Sequence, residues 1–146
     1  MPHALEGLRV IDVAINYAGP TISMYLADQG ADVIKVERRI TGDTSRRSGN
    51  TPFLKLNSYG FMAINRGKRS ITLDITKPQG QDVLRDLARG ADVLVENFRP
   101  GVMERLGMTC GLGEEFDHPK LEEGHPLRRH VLYRLPRAAW EQSRAQ

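Results

Sequence analysis

Residues 8–37 read LRVIDVAINYAGPTISMYLADQGADVIKVE, and their pattern decides the fold class. Residues 8–14 are apolar and β-branched, too few for a helix and nearly free of polar alternation, which is the pattern of a strand covered on both faces. Gly19 permits a tight turn, and Pro20 suits the first helical position because its missing N–H would have no intrahelical partner there. Ile22, Tyr25 and Leu26 continue at helical spacing, and Gly30 supplies the stop. Residues 31–37 form a second β-branched run directly afterwards. Strand, helix and strand make a β-α-β unit, which implies a right-handed crossover between parallel strands.

Downstream, residues 38 to about 60 are rich in Gly, Ser, Thr, Asn and Arg without a sustained period, predicting a long loop of the kind that carries function or motion. Order resumes at Phe61, and residues 70–73 predict a third strand ending at Asp74. Thr76 and Gln79 have the spacing of a capping box, Val83, Leu84 and Leu87 mark an apolar helix face, and Gly90 is placed to end it. Residues 91–98, ADVLVENF, repeat the strand pattern, and residues 100–106 predict a short helix before Gly107. This alternation predicts an α/β fold, a Rossmann-like, mostly parallel sheet with flanking helices. After about residue 109 the regularity fails. Leu127, Val131 and Leu135 fit one helical stripe, but Pro136 interrupts it, and no further strand is expected. The division predicted is residues 1–109 as an ordered but incomplete domain and 110–146 as a divergent, poorly ordered tail.

A chain of 146 residues with 40% hydrophobic content fills one core. It has no apolar run near the roughly 20 residues of a spanning helix and no signal-peptide pattern at Met1-Pro2-His3, so a cytoplasmic protein without a membrane partner is expected. Cys110 is the single cysteine, which leaves no internal disulfide framework or thiolate metal cluster, and no metal is expected. Net charge is +3, too mild to imply bulk nucleic-acid binding. Residues 1–110 hold 15 Lys and Arg against 12 Asp and Glu, whereas 111–146 hold six of each, so the basic excess lies in the front of the chain.

Those basic groups recur at predicted strand ends: Arg38 and Arg39, then Arg66, Lys68 and Arg69, then Arg99 and Arg105. Open parallel sheets bind ligands beyond the carboxyl ends of their strands, and guanidinium forks match phosphate oxygens, so a phosphorylated ligand is the reading they favour. A nicotinamide dinucleotide is disfavoured. Glu37 stands at the end of the second strand as that fingerprint requires, but residues 16–20, NYAGP, offer one glycine where three are needed. No nucleophilic triad emerges, since His3, His118, His125 and His130 lie outside the regular body. Asp12, Asp32 and Asp92 have structural duties sufficient to explain them, and Glu96 beside Asn97 is the most site-like carboxylate.

Four stretches together, GLRVIDVAINYAGP, LADQGADVIKVERR with Gly42-Asp43, NRGKRSITLD and ADVLVENFRPGVMERLG, resemble the N-terminal portion of the family III CoA-transferases, the group of formyl-CoA and carnitine CoA-transferases and 2-methylacyl-CoA racemases. They cover about residues 5 to 109. The resemblance implies a coenzyme A thioester ligand. It implies contacts to that ligand from Asn16 and Tyr17 in the turn after the first strand, from Arg38, from the segment Leu73, Asp74, Ile75 and Thr76, and from Asn97, Phe98, Arg99 and Arg105. It also implies acyl-CoA and a carboxylic acid as substrates and an interlocked homodimer in the intact family.

Family chemistry rests on an aspartate that attacks the thioester, giving an acyl anhydride and then an enzyme-bound CoA thioester. In the family that aspartate follows a glycine-rich segment some tens of residues after the Leu106-Gly107 pair, whereas the last aspartate here is Asp117 and residues 125–146 read HPLRRHVLYRLPRAAWEQSRAQ. No catalytic residue is therefore assigned. The expectation is a truncated or frame-shifted copy, inactive by itself. A racemase-type isomerase fragment and a non-catalytic CoA-binding or assembly module are the alternatives.

Overall fold

In the computed structural model, residues 3–48, 57–106 and 108 are described in full, and 112–117 and 129–133 by their backbone. Strands β1 (Arg9–Asp12), β2 (Asp32–Glu37), β3 (Arg69–Thr72) and β4 (Val93–Val95) form one sheet in the order β3-β2-β1-β4, every neighbouring pair parallel. Helices α1 (Ala18–Asp28), α2 (Tyr59–Ile64), α3 (Pro78–Arg89) and α4 (Val102–Arg105) alternate with the strands, with a short 3₁₀ turn at Thr44–Arg47. The α/β, parallel-sheet reading of the sequence is the fold observed.

The centre is set by the β-branched runs. Val10, Ala14, Ala31, Val33 and Val95 are buried together, with Leu5, Leu8, Leu26, Ala27 and Val93 packed against them. Two polar residues interrupt these runs, and the register explains them: Asp12 of β1 stands opposite Lys35 of β2. The side chains of Asp12 and Lys35 are buried, with 3.8 Å between charged atoms. A charge inside a parallel sheet is tolerated only when paired, and strand pairing supplies the partner.

Several local expectations shift. Pro20 lies at the third position of α1, still inside the first turn where a backbone N–H has no partner. Gly30, at φ +99°, follows the helix as predicted. Helix α2 begins at Tyr59, capped by Ser58, whose Oγ accepts the Phe61 N–H at 3.0 Å. The capping box at Thr76 does not form: α3 opens on Lys77-Pro78 without a side-chain cap. Thr76 instead directs both its N–H and its hydroxyl to Asp74 Oδ1. Of residues 91–98 only Val93–Val95 join the sheet, because Glu96 accepts the Phe98 N–H and Asn97 reaches across to Ile15.

The chain divides into two compact units, 1–107 and 108–146. Within the second, β5 (Leu112–Asp117) and β6 (Arg129–Tyr133) pair antiparallel, with a register irregularity between Leu112 and Glu115. The sequence reading placed no strand here and put Val131 on a helical stripe. Each run is short and interrupted by charged residues, LGEEFD and RHVLY, so no β-branched apolar run announces it. The expected poor order of the rest of 110–146 lies outside the described residues, as do Cys110, His118 and His125. Among the described residues no helix is long and apolar enough to cross a membrane.

Candidate functional site

The strand order reverses between β1 and β4, the place where an open α/β sheet leaves a crevice beyond its strand ends. A cleft of about 810 Å³ opens there, lined from the carboxyl ends of all four strands. Val13, Ile15 and Asn16 follow β1; Val36 and residues 37–43 come from the end of β2 and beyond; Leu73, Asp74, Ile75 and Thr76 follow β3. Asn97, Phe98 and Arg99 follow β4, with Val102 and Leu106 of the α4 region. Its walls are largely aliphatic, and three guanidinium groups, Arg38, Arg39 and Arg99, stand among them.

Every residue that the sequence reading took for the ligand therefore meets in this cleft except two. Tyr17 turns away: a Cβ on Gly60 would lie 2.6 Å from its hydroxyl, so its ring covers α2. Arg105 is exposed and folds back towards Gly101. Tyr17 still serves the turn, as its carbonyl accepts both the N–H and the hydroxyl of Thr21. Asn97 is present, but its carboxamide is committed to the Ile15 backbone.

The mid-chain basic cluster is engaged elsewhere. Arg66 pairs with Asp28 and Arg69 with Asp32, both on the surface. Lys68 is buried and donates to Asp12 Oδ2 at 2.9 Å, the Pro20 carbonyl at 2.7 Å and Asn65 Oδ1 at 2.9 Å. Burial holds its pKa below the ordinary lysine value, with Asp12 opposing. These three residues brace the sheet and its helices, whereas Arg38, Arg39 and Arg99 have no hydrogen bond or ion pair from their side chains among the described residues.

Glu37 is withdrawn from any ribose-binding duty. Arg46 holds it through Nε–H and Nη2–H at 2.6 and 2.7 Å, Ser70 donates at 2.7 Å, and the Asp43 N–H donates at 3.0 Å. Burial pushes the Glu37 carboxyl up, but these hydrogen bonds outweigh it and hold the pKa below the ordinary range. The Arg46 guanidinium also lies 3.7 Å over the Phe61 ring. Asp43, also buried, behaves alike: burial raises its pKa, and Lys35 with the Ser45 N–H and hydroxyl bring it below normal. The sequence singled out neither as part of the cleft. A Lys and an Asp at matching places in two runs, VIKV and VIDV, were the available signal for the charge network beneath it.

The defining pattern of CoA-transferase family III matches residues 5–115. Among curated proteins, a formyl-CoA:oxalate CoA-transferase of Rhodopseudomonas palustris (strain HaA2) is 50% identical over 110 residues, 75% of this chain and 25% of that protein. One of Bradyrhizobium sp. (strain ORS 278) is 48% identical over 108 residues, again 25% of its length. Among solved structures, a CAIB/BAIF family protein from Brucella suis superposes with TM-score 0.69 at 41% identity, covering 75% of this chain and 29% of that one. A hypothetical protein from Mycobacterium tuberculosis gives 0.65 at 42% identity, with the same shares. The chain thus spans about a quarter of the length of the curated relatives it matches.

Proposed function

This chain belongs to CoA-transferase family III, and on that footing we propose that the cleft at the strand ends holds the nucleotide part of coenzyme A. The observation that carries the reading is the convergence of Arg38, Arg39 and Arg99 on one mostly aliphatic cleft. Guanidinium forks suit the pyrophosphate and ribose phosphate of CoA, while Leu73, Ile75, Phe98 and Val102 supply apolar surface for its adenine and pantetheine. The residue types fit the ligand: its anionic groups meet Arg38, Arg39 and Arg99, whose side chains make no hydrogen bond or ion pair among the described residues, and the buried cleft carboxylates Glu37 and Asp43 are paired with Arg46 and Lys35.

The reaction proposed for the lineage is transfer of CoA between an acyl-CoA thioester and a carboxylic acid. The formyl-CoA:oxalate CoA-transferases among the relatives favour this over the racemase alternative. Acyl-CoA supplies a thioester whose carbonyl is open to a carboxylate nucleophile, with the CoA thiolate as leaving group. The chain's own residues would bind and orient it: arginines at the phosphates and the fixed β1–α1 turn against one wall. We assign no nucleophile within these 146 residues, so they are proposed to bind without turning over. A cytoplasmic setting and a homodimer belong to the same proposal.

Calorimetric titration of the 146-residue chain with CoA tests it. Binding is expected, weakened about tenfold or more by Arg38→Ala, as loss of a charge-assisted contact implies. Absence of binding at millimolar CoA by folded protein would overturn the reading and favour an assembly module. Assays for CoA exchange and for epimerisation of a 2-methylacyl-CoA should both be blank, and sustained turnover would refute the inactivity proposed.

A further inference from the structure

Asn16 adopts φ +68°, and among the described residues it is the single non-glycine with positive φ. Asparagine tolerates this left-handed region better than most residues, yet the conformation persists only where surroundings impose it. The restraint is visible. The Asn16 N–H donates to Asp43 Oδ1 at 3.0 Å, and the same oxygen accepts the Ser45 N–H at 2.8 Å and the Ser45 hydroxyl at 2.7 Å. The other Asp43 oxygen, Oδ2, lies 2.8 Å from Lys35 Nζ, with both side chains 1% exposed. Lys35 in turn donates to the Ala14 carbonyl at 2.9 Å.

One buried ion pair thus grips the β1–α1 turn twice, at the Ala14 carbonyl and at the Asn16 amide, and ties it to the loop after β2. Asn16 and residues 38–43 line the same cleft, and the Asn16–Asp43 hydrogen bond joins them. A buried pair of this kind recovers little net stability over apolar side chains, because desolvation offsets its attraction, so geometry is its more distinctive contribution.

We propose that Asp43, charge-balanced by Lys35, is a positioning residue for ligand binding, holding Asn16 in the left-handed conformation and so fixing how the β1–α1 turn meets the loop after β2. This rests on the coenzyme A reading of the cleft. Asp43 acts through Asn16 and needs no contact with the ligand.

The test uses the full 146-residue chain. Asp43→Ala removes the acceptor, whereas Asp43→Asn keeps an oxygen in its place. Amide hydrogen exchange at Asn16, measured without ligand, should be about tenfold faster in Asp43→Ala than in Asp43→Asn, the effect of one lost hydrogen bond. Affinity for CoA should fall about tenfold in Asp43→Ala, but less than about threefold when Asn16→Gly is also present, because glycine takes φ +68° unaided. An equal loss in both backgrounds, or unchanged exchange at Asn16, would overturn the proposal. Should Asp43→Ala fail to fold, Lys35→Met with Asp43→Ala replaces it, removing both charges together. Failure of the unmutated chain to bind CoA sinks the coenzyme A reading, whereas the exchange result judges the hold of Asp43 on the turn by itself.

Discussion

Asn97 Oδ1 accepts the Ile15 N–H at 2.9 Å while its Nδ2 donates to the Ile15 carbonyl at 2.8 Å, closing a ring between a side-chain amide and both backbone groups of one residue. With Val13 N–H donating to the Val95 carbonyl at 2.9 Å, the segments after β1 and β4 are joined where the strand order reverses. The amide that the resemblance assigns to coenzyme A lines the cleft and also ties these two segments together.

Replacing Asn97 with alanine removes both bonds near solvent, and equilibrium unfolding in urea should show a loss of about 1–2 kcal/mol. Asn97→Asp should do no better, since a carboxylate cannot donate to the Ile15 carbonyl and would face it with like charge. An aspartate variant as stable as the parent would count against the donor role of Nδ2.

Gly19 is a second point of close approach. A Cβ there would lie 2.3 Å from Ala14 Cβ and 3.1 Å from Asn97 Cγ, between a core residue and the ring just described. Gly19→Ala should cost about 1–3 kcal/mol through overpacking, although alanine is the better helix former. The check is the urea midpoint, and a stabilised variant would show that α1 can move away from β1.

The pH dependence follows from Glu37 and Asp43, whose folded pKa values are both depressed. Each contributes stability that is complete above its unfolded value, about 3.9–4.3, and is lost as pH falls through the lower folded value. Thermal unfolding should therefore change little on this account from pH 7 to 5 and fall steeply below about pH 4. Glu37→Gln should flatten that acid limb, and an unaltered limb would remove Glu37 as its cause.

Arg99 and Arg66 separate the two classes of arginine. Arg99→Ala should weaken CoA about tenfold and reduce its salt dependence, as expected for a phosphate contact. Arg66→Ala should leave CoA affinity within about twofold, because its partner is the exposed Asp28 and surface pairs contribute little. Equal effects from both would mean a diffuse field rather than a defined site.

The sheet was legible because short apolar, β-branched runs at residues 8–14, 31–37, 70–73 and 91–98 alternate with helical patterns, and Gly30 and Gly90 follow the ends of α1 and α3. Capping was less legible. Thr76 has the right spacing for a cap, but Asp74, two residues away, competes for its hydroxyl. Strands β5 and β6 were not legible at all, since their short runs, LGEEFD and RHVLY, mix charged residues with few β-branched ones. For the site, Arg38 and Arg99 could be found from their places at strand ends, a rule of topology, whereas residues 73–76 came from the family resemblance. That Tyr17 covers α2, or that Lys68 serves Asp12 and not the cleft, depends on packing across elements.

The order of residues by itself determined the class of fold and the collection of arginines at one rim, because strand and helix periods are written locally and a parallel sheet sends its carboxyl ends to one side. Only the tertiary structure decided which charges remain free there. Asp12, Lys35, Asp43 and Lys68 become partners through register and burial, and in a low-dielectric interior an ionised group must find its counterpart in space, not in sequence.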